Sequence, residues 1–231
     1  MKIVCEKEKL LKCINSVVRG VPTRTTMPIL EGIFIQTNEN KVKMTTYDLD
    51  LGIEYIVDCN VEEEGNTVVN ATMFSEIIRK LPDTEIKISV NENKLLVIEC
   101  EGSLYKLSTM NPEEYPELPK IDVEHSVLTE QKTLKDMIKK TIFAVSLEEN
   151  RPIFTGCLFE IVNNKLNVVA IDGSRMGWVS TFLTENPNIE SFPNEDIVIA
   201  RRRLVPITSS IVKALLESNS FIIKIELTNI L

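Results

Sequence analysis

The amino-acid sequence predicts an α+β fold made of two similar domains, each combining antiparallel strands with two helices on one face. Three features predict it: an internal repeat at an offset of 124 residues, a helical spacing of apolar residues near the start of each copy, and alternating apolar runs after it. Solenoid repeats are roughly 20–50 residues long, so a period of this length indicates a duplicated domain.

The repeat keeps one register without a gap over its first half. Residues 28–34 read PILEGIF and residues 152–158 read PIFTGCL, while Asp48 is matched by Asp172. The copies are separated by residues 111–119, whose three prolines can continue neither a helix nor a central strand. We therefore expect a first domain over residues 1–119 and a second over residues 120–231.

Each copy is predicted to contain a short strand, a helix, three strands and a second helix, in that order. The first helices, residues 6–19 and 132–146, carry apolar residues at the i, i+3, i+4, i+7 spacing of one helix face, and Thr133 is a candidate N-cap. The second helices are expected at residues 73–81 and about 201–216. The strands are expected at residues 2–5, 32–37, 41–46 and 51–58 in the first copy and at 126–128, 156–162, 165–171 and 176–182 in the second.

The first copy continues into a predicted hairpin, with strands at residues 94–100 and 103–108 joined by a turn at Glu101-Gly102. The second copy has no counterpart of this hairpin before Leu231. The second domain is therefore expected to be incomplete, lacking its last hairpin.

Several classes of protein are excluded by what the chain lacks. Its five cysteines form no CxxC pair and it has one histidine, His125, so neither a zinc site nor a disulfide framework is expected, and the cysteines are predicted to be buried and reduced. No signal peptide or apolar run long enough to cross a membrane is present, which predicts a cytoplasmic protein. No phosphate-binding glycine loop, nucleophile motif or carboxylate cluster is present, so no cofactor, metal or catalytic site is expected. Asp48 and Asp172 are expected to shape turns.

The charges are distributed unevenly along the chain. The four predicted helices carry +2, +1, +3 and +4, a total of +10, so the remaining residues must carry −18 to give the net charge of −8. Helices that share one face could follow DNA phosphates without reading sequence. Ordinary solvated helix surfaces are the alternative. The run Arg201-Arg202-Arg203 favours a ligand, because three adjacent like charges repel one another.

Several short segments resemble a known family, the beta subunit of bacterial DNA polymerase III, or DNA sliding clamp. The segments are EKEKLL at residues 6–11, RTTMPIL at 24–30, YDLD at 47–50, LST at 107–109, YP at 115–116 and AIDGSRM at 170–176. The resemblance implies clamp domains in a closed ring, with sheets outside and helices lining the hole. It implies a non-enzymatic processivity factor that encircles double-stranded DNA and tethers the polymerase. The family's third domain is expected to be missing from this chain.

The same resemblance implies partners and site residues. The family forms ring-shaped homo-oligomers, and its clamps bind DNA polymerase III and the clamp loader through short peptide motifs. Helix charge and the resemblance together give the candidate DNA-binding residues Arg24, Arg79, Lys80, Lys139, Lys140, Arg201, Arg202, Arg203 and Lys213. The candidate partner-binding residues, by resemblance, are Phe154, Ile171, Gly173, Arg175 and Met176. A solvated loop for Arg24 and ordinary core positions for Phe154 and Met176 remain alternatives.

Two other functions stay open. A truncated clamp could act as a partner-binding or decoy module without forming a ring. An enzyme acting on nucleic acid would need a catalytic constellation that the sequence does not contain.

Overall fold

The computed structural model of the chain describes residues 1–49, 51–118, 129–148, 150–183, 197–201, 204 and 213–216. The chain divides into two compact units, Met1–Pro119 (unit 1) and Lys120–Leu231 (unit 2).

Unit 1 combines two helices with an antiparallel sheet. Its strands pair in the order β4-β3-β2-β6-β9-β8-β7-β1-β5. The helices are α1 (Lys7–Val17) and α2 (Ala71–Lys80). The strands are β1 (Lys2–Glu6), β2 (Gly32–Asn38), β3 (Lys41–Tyr47), β4 (Leu51–Asp58), β5 (Asn60–Glu63), β6 (Asn66–Asn70), β7 (Glu85–Val90), β8 (Leu95–Cys100) and β9 (Ser103–Met110).

Both helices of unit 1 are amphipathic and bury one face. Leu10, Ile14 and Val17 follow the spacing of one helix face and are fully buried where α1 packs on β3 and β4. Helix α2 begins two residues earlier than expected because Asn70 caps it: the Asn70 side-chain oxygen accepts a hydrogen bond from the Met73 amide at 3.1 Å. The two helices also pack against each other.

Unit 2 contains helix α3 (Gln131–Thr141) and an antiparallel sheet in the order β12-β11-β10-β13. Its strands are β10 (Gly156–Val162), β11 (Lys165–Ile171), β12 (Met176–Phe182) and β13 (Ile197–Ala200). A further strand of unit 2, β14 (Lys213–Leu216), is not part of this sheet. Helix α3 packs on β11 and β12. The close approach occurs at Gly177, where an added Cβ would lie 3.0 Å from Thr141 Cα.

The structure reproduces the repeat in the first helix of each unit and in the strands that follow it. Helices α1 and α3 begin and end 124 residues apart, as do β2 with β10 and β3 with β11. Even the left-handed turn residues correspond, with φ of 52° at Glu39 and 51° at Asn163. The predicted α+β fold class is confirmed.

Two local predictions need correction. Thr133 is not the N-cap of α3; Glu130 occupies that position and Thr133 donates a hydrogen bond to its side chain at 3.3 Å. The helix expected over residues 201–216 is wrong at its end, because Lys213–Leu216 is a strand, although Arg201 and Leu204 are helical. Intrinsic helix preference amounts to less than ~1 kcal/mol per residue, so tertiary context overrides it. Strands β5, β6, β7 and β13 were not among the expected strands.

All five cysteines are buried and free, as predicted. The strand expected at residues 126–128 lies outside the described residues. In the part of the chain that the structure describes, no helix has the length and apolarity needed to cross a membrane.

Candidate nucleic-acid interface and partner surface

The solvent face of unit 1's helices presents cations. Lys12 on α1 and Arg79 and Lys80 in the last turn of α2 are exposed. Arg79 Nη2 donates a hydrogen bond to Asn15 Oδ1 on α1 at 3.4 Å, which connects the two helices at this surface. The three cations are exposed because each helix buries its apolar face and turns its remaining residues toward solvent.

Two lysines of α1 are engaged elsewhere. Lys7 is buried, donates to the Leu81 carbonyl oxygen and pairs with Asp83 Oδ1 at 2.8 Å. Lys9 Nζ lies 3.1 Å from Glu6 Oε1. In the sequence, the three lysines of this helix are indistinguishable. Because Lys7 and Lys9 already have carboxylate partners, fewer cations of α1 are available to an external anion.

In unit 2, α3 presents a second set of cations. Lys132, Lys139 and Lys140 are exposed, and the last two occupy the final helical turn. Among the ion pairs of the described residues, none involves these three side chains. They lie on the polar side of a helix whose Leu134, Met137 and Ile138 are buried.

The remaining candidate DNA-binding residues are scattered. Arg24 is exposed in the loop between α1 and β2, and Arg201 is exposed after β13. Arg202 and Arg203 lie outside the described residues. Lys213 is on strand β14, so its expected helical placement is wrong. A DNA-binding role stays a prediction for all nine.

The candidate partner surface centres on the tight turn between β11 and β12. Asp172 Oδ1 accepts hydrogen bonds from the Ser174 and Arg175 amides, each at 3.0 Å, and its Oδ2 lies 2.6 Å from Arg175 Nε. These hydrogen bonds, led by the Ser174 amide, hold the pKa of Asp172 well below its usual range. Gly173 adopts a φ of 91°, which favours glycine.

The same turn occurs in unit 1. The Leu51 amide donates to Asp48 Oδ1 at 2.6 Å and the Asp48 amide donates to the Leu51 carbonyl at 3.1 Å. In unit 2 the Asp172 amide donates to the Arg175 carbonyl at 3.2 Å. The turn-forming role expected of both aspartates is therefore confirmed.

This turn brings three of the candidate partner residues together. Ile171 and Met176 are directly opposed in the β11–β12 pair, and both are exposed, at 39% and 56%. Arg175 is exposed beside them. The alternative of a core position is excluded for Met176. Phe154 is half-buried on a separate segment, a 3₁₀ turn at Pro152–Thr155, and its carbonyl accepts a hydrogen bond from the Ser146 amide at 2.8 Å.

Two exposed aromatic residues on β12 were not singled out from the sequence. Trp178 and Phe182 are each 67% exposed, on the same side of the strand as Met176. Lys165 Nζ lies 4.7 Å from the Phe182 ring centre. The alternation Met176, Trp178, Ser180, Phe182 was visible in the sequence. This alternation does not reveal which of the two faces of the strand is buried.

The site offers binding groups. Exposed cations on helices can contact phosphates, and exposed apolar side chains beside a rigid turn can contact a peptide. Among the described residues, no group of three or more His, Cys, Asp or Glu side chains is placed to hold a metal ion.

Comparison with known families matches both units. Residues 1–119 match the family model for the DNA polymerase III beta subunit, N-terminal domain, and residues 129–229 match that for the DNA polymerase III beta subunit, central domain.

Curated relatives agree. The beta sliding clamp of Halalkalibacterium halodurans is 35% identical over 202 residues, covering 84% of this chain and 53% of the relative. That of Bacillus subtilis is 34% identical over 184 residues, covering 76% of this chain and 49% of the relative. The chain therefore spans about half the length of these relatives.

Solved structures show the same fold. The crystal structure of the DNA polymerase sliding clamp from Bacillus subtilis superimposes with a TM-score of 0.85 at 28% identity, covering 95% of this chain and 60% of that one. The sliding clamp from Caulobacter crescentus gives a TM-score of 0.82 at 26% identity, covering 94% and 60%.

Proposed function

This chain belongs to the DNA polymerase III beta subunit family, and from that premise we propose that it serves as a DNA sliding clamp. Its residues 1–119 and 120–231 act as two clamp domains, and it catalyses no reaction itself. It encircles double-stranded DNA and tethers the replicative polymerase, so that the polymerase cannot diffuse away.

The observation that carries this proposal is the set of exposed cations on the helices of both units. Lys12, Arg79 and Lys80 in unit 1 and Lys139 and Lys140 in unit 2 stand on helices of a chain whose net charge is −8. Lys and Arg that contact phosphates give sequence-independent, salt-sensitive binding, which a sliding protein requires.

The turn in unit 2 supports a role in holding partners. Ile171 and Met176 form an exposed apolar pair, and the Asp172–Arg175 contact fixes the turn beside them. We propose that this pair, with Gly173, Arg175 and Phe154, contributes to a site for short peptide motifs of the polymerase and the clamp loader. Leu or Phe side chains are the natural occupants of an apolar surface of this kind.

The test measures whether the chain becomes topologically linked to DNA. Solution mass from light scattering at several concentrations is combined with retention on circular DNA before and after linearisation. A closed oligomer retained on circles and lost on linear DNA is the expected result. A monomer with weak DNA binding that is the same on both forms contradicts encirclement and favours a partner-binding or decoy module.

The helix surface is tested with charge-reversed variants. Lys139→Glu with Lys140→Glu should weaken binding to a short duplex at least about tenfold and reduce the slope of log affinity against log salt by ~1.8, because each lost phosphate contact removes ~0.9. The matched control is Lys87→Glu with Lys106→Glu, which makes the same change in net charge at exposed strand positions. Equal losses in both variants would show that net charge, and not the helix surface, governs binding.

A further inference from the structure

Strand β1 contains Cys5, and Cys59 directly precedes strand β5, the antiparallel neighbour of β1. In this antiparallel pair Ile3 faces Val61 and Val4 faces Asn60. Continuing the register by one residue places Cys5 opposite Cys59. Directly opposed residues have Cα atoms about 4.5–5.5 Å apart, inside the window of about 4.4–6.8 Å that a disulfide requires. Cys5 and Cys59 lie next to the last paired residues, Val4 and Asn60, so a disulfide between them requires little movement of the backbone.

The two side chains are also buried near each other. Cys5 is 3% exposed and Cys59 is 8% exposed, and each thiol shifts the pKa of the other, chiefly through side-chain hydrogen bonding. The other three cysteines have oxygen partners instead: Cys13 with the Tyr55 carbonyl at 3.9 Å, Cys100 with Thr84 Oγ1 at 3.3 Å and Cys157 with Thr141 Oγ1 at 3.8 Å.

The two thiols of the pair are chemically unequal. The hydrogen bond from Cys59 lowers the pKa of Cys5 against the opposing effect of burial, and the nearby Lys9 charge lowers it further. The same hydrogen bond, together with burial, raises the pKa of Cys59. Burial also raises the pKa of Cys13. Because the thiolate is the reactive form, Cys5 is the nucleophile of the group.

We propose that Cys5 and Cys59 form a redox modification site that closes into a reversible disulfide when the protein meets a peroxide. The Cys5 thiolate attacks one oxygen of hydrogen peroxide and, with one proton taken up, yields a sulfenic acid and water. The Cys59 sulfur then attacks the Cys5 sulfur, and its proton leaves with the departing hydroxide as a second water. Two thiols are oxidised and one peroxide is reduced.

The position of the two cysteines beside an edge strand lets an oxidant reach them and gives the disulfide a structural effect. Strand β5 is the last strand on its side of unit 1's sheet, and an edge strand opens more readily than a central one. Such opening admits a small oxidant to thiols that are otherwise covered. The disulfide fastens β5 to β1 and closes a loop running from Cys5 to Cys59, which restricts the unfolded chain.

The experiment uses the full chain and hydrogen peroxide. After oxidation the protein is denatured, its free thiols are capped with N-ethylmaleimide and its mass is measured before and after trypsin. Three of the five cysteines should be capped, and one cross-linked peptide should join Cys5 to Cys59. Cleavage after Lys7 and Lys12 puts Cys5 and Cys13 on separate peptides, so the partner is identified without ambiguity. The oxidised chain should melt about 5 °C or more above the reduced chain, and dithiothreitol should reverse the shift.

Matched variants isolate the pair. Cys100→Ser, another buried cysteine on a strand, should retain the cross-link, whereas Cys59→Ser should lose it and leave Cys5 as a sulfenic or sulfinic acid. The wild-type peptide map decides the outcome even where a variant folds poorly. Five capped thiols after oxidation, or a cross-link from Cys5 to Cys13 in place of Cys59, would overturn the proposal.

Discussion

The outer faces of the two repeated sheets differ sharply although their backbones correspond. In unit 1, Glu54 on β4 pairs with Lys43 on β3 at 3.2 Å and accepts a hydrogen bond from Thr45 at 3.3 Å. The position that corresponds to Glu54 in unit 2 is Trp178, which is 67% exposed and is opposed to Val169. At this position the scaffold thus carries an ion pair in one copy and an exposed tryptophan in the other. The repeat constrains the backbone and leaves the solvent face free to diverge.

The inner faces of the two sheets differ in which of two neighbouring positions carries the larger side chain. Ile53 of β4 is fully buried in unit 1, and an added Cβ at Gly20 would lie 3.0 Å from it. Its counterpart in unit 2 is Gly177, where the backbone of Thr141 fills the space and Ala144 replaces Gly20. The helix therefore approaches the strand more closely in unit 2. Core positions can change in size only when a neighbour changes in compensation.

The largest expected effect comes from reversing this exchange. Gly177→Ile should destabilise unit 2 by about 3 kcal/mol or more, because the new side chain meets helix backbone that cannot move aside. Urea unfolding followed by the fluorescence of Trp178, the single tryptophan, measures it.

Ser180→Ile is the control for this substitution, because Ser180 is an exposed residue of the same strand. Its unfolding free energy should stay within ~0.5 kcal/mol of the wild type. An unchanged urea midpoint for Gly177→Ile would show that α3 is not held closely against β12.

A smaller effect is expected at the exposed end of the strand. Met176 corresponds to Gly52 of unit 1. The space that a side chain at Gly52 would fill is occupied by Leu118. In unit 2 the equivalent surface is open, so Met176→Ser should weaken binding of a labelled peptide containing Leu and Phe about tenfold, through lost apolar contact. Fluorescence polarisation measures the Kd.

Trp178→Ser supplies the comparison for the peptide experiment, since Trp178 lies on the same face further from the turn. Its Kd should stay within about twofold of the wild type, because the proposed contact is with the turn. Equal losses for both variants would assign peptide capture to the whole outer face.

The smallest effect is local and concerns the turn that both units share. Asp172→Ala should speed hydrogen exchange at the Arg175 amide roughly tenfold and leave the rest of unit 2 unchanged, because the amide loses its carboxylate partner. Amide exchange followed by NMR measures it. A global increase in exchange would mean that the turn supports the whole unit.

The turn should also respond to acid in one direction. The folded pKa of Asp172 is held below its unfolded value of ~3.9, so the carboxylate stabilises the turn fully above that pH and loses its effect as pH falls through the folded pKa. Asp172→Asn keeps an acceptor without a titrating charge and should remove this pH dependence.

The sequence by itself determined the duplicated fold, the bounds of most elements and the turn-forming role of Asp48 and Asp172. The spacing of apolar residues, the prolines and the turn residues determine structure locally. Because the two copies share one register, each of these predictions is supported twice. The family resemblance pointed to Ile171, Arg175 and Met176, which the structure places together because one turn of chain joins them.

Only the tertiary structure decided which side chains are exposed to solvent and which contact one another. Lys7 reads as one more helix cation, yet it is buried between Leu81 and Asp83. Cys5 and Cys59 are 54 residues apart in the chain, yet they lie next to Val4 and Asn60, which are paired across β1 and β5. The alternation on β12 does not say which face is exposed, and a helical composition did not prevent Lys213–Leu216 from forming a strand. These outcomes depend on pairing and packing between segments far apart in the chain, whose energies exceed local preference and leave no local signal in the sequence.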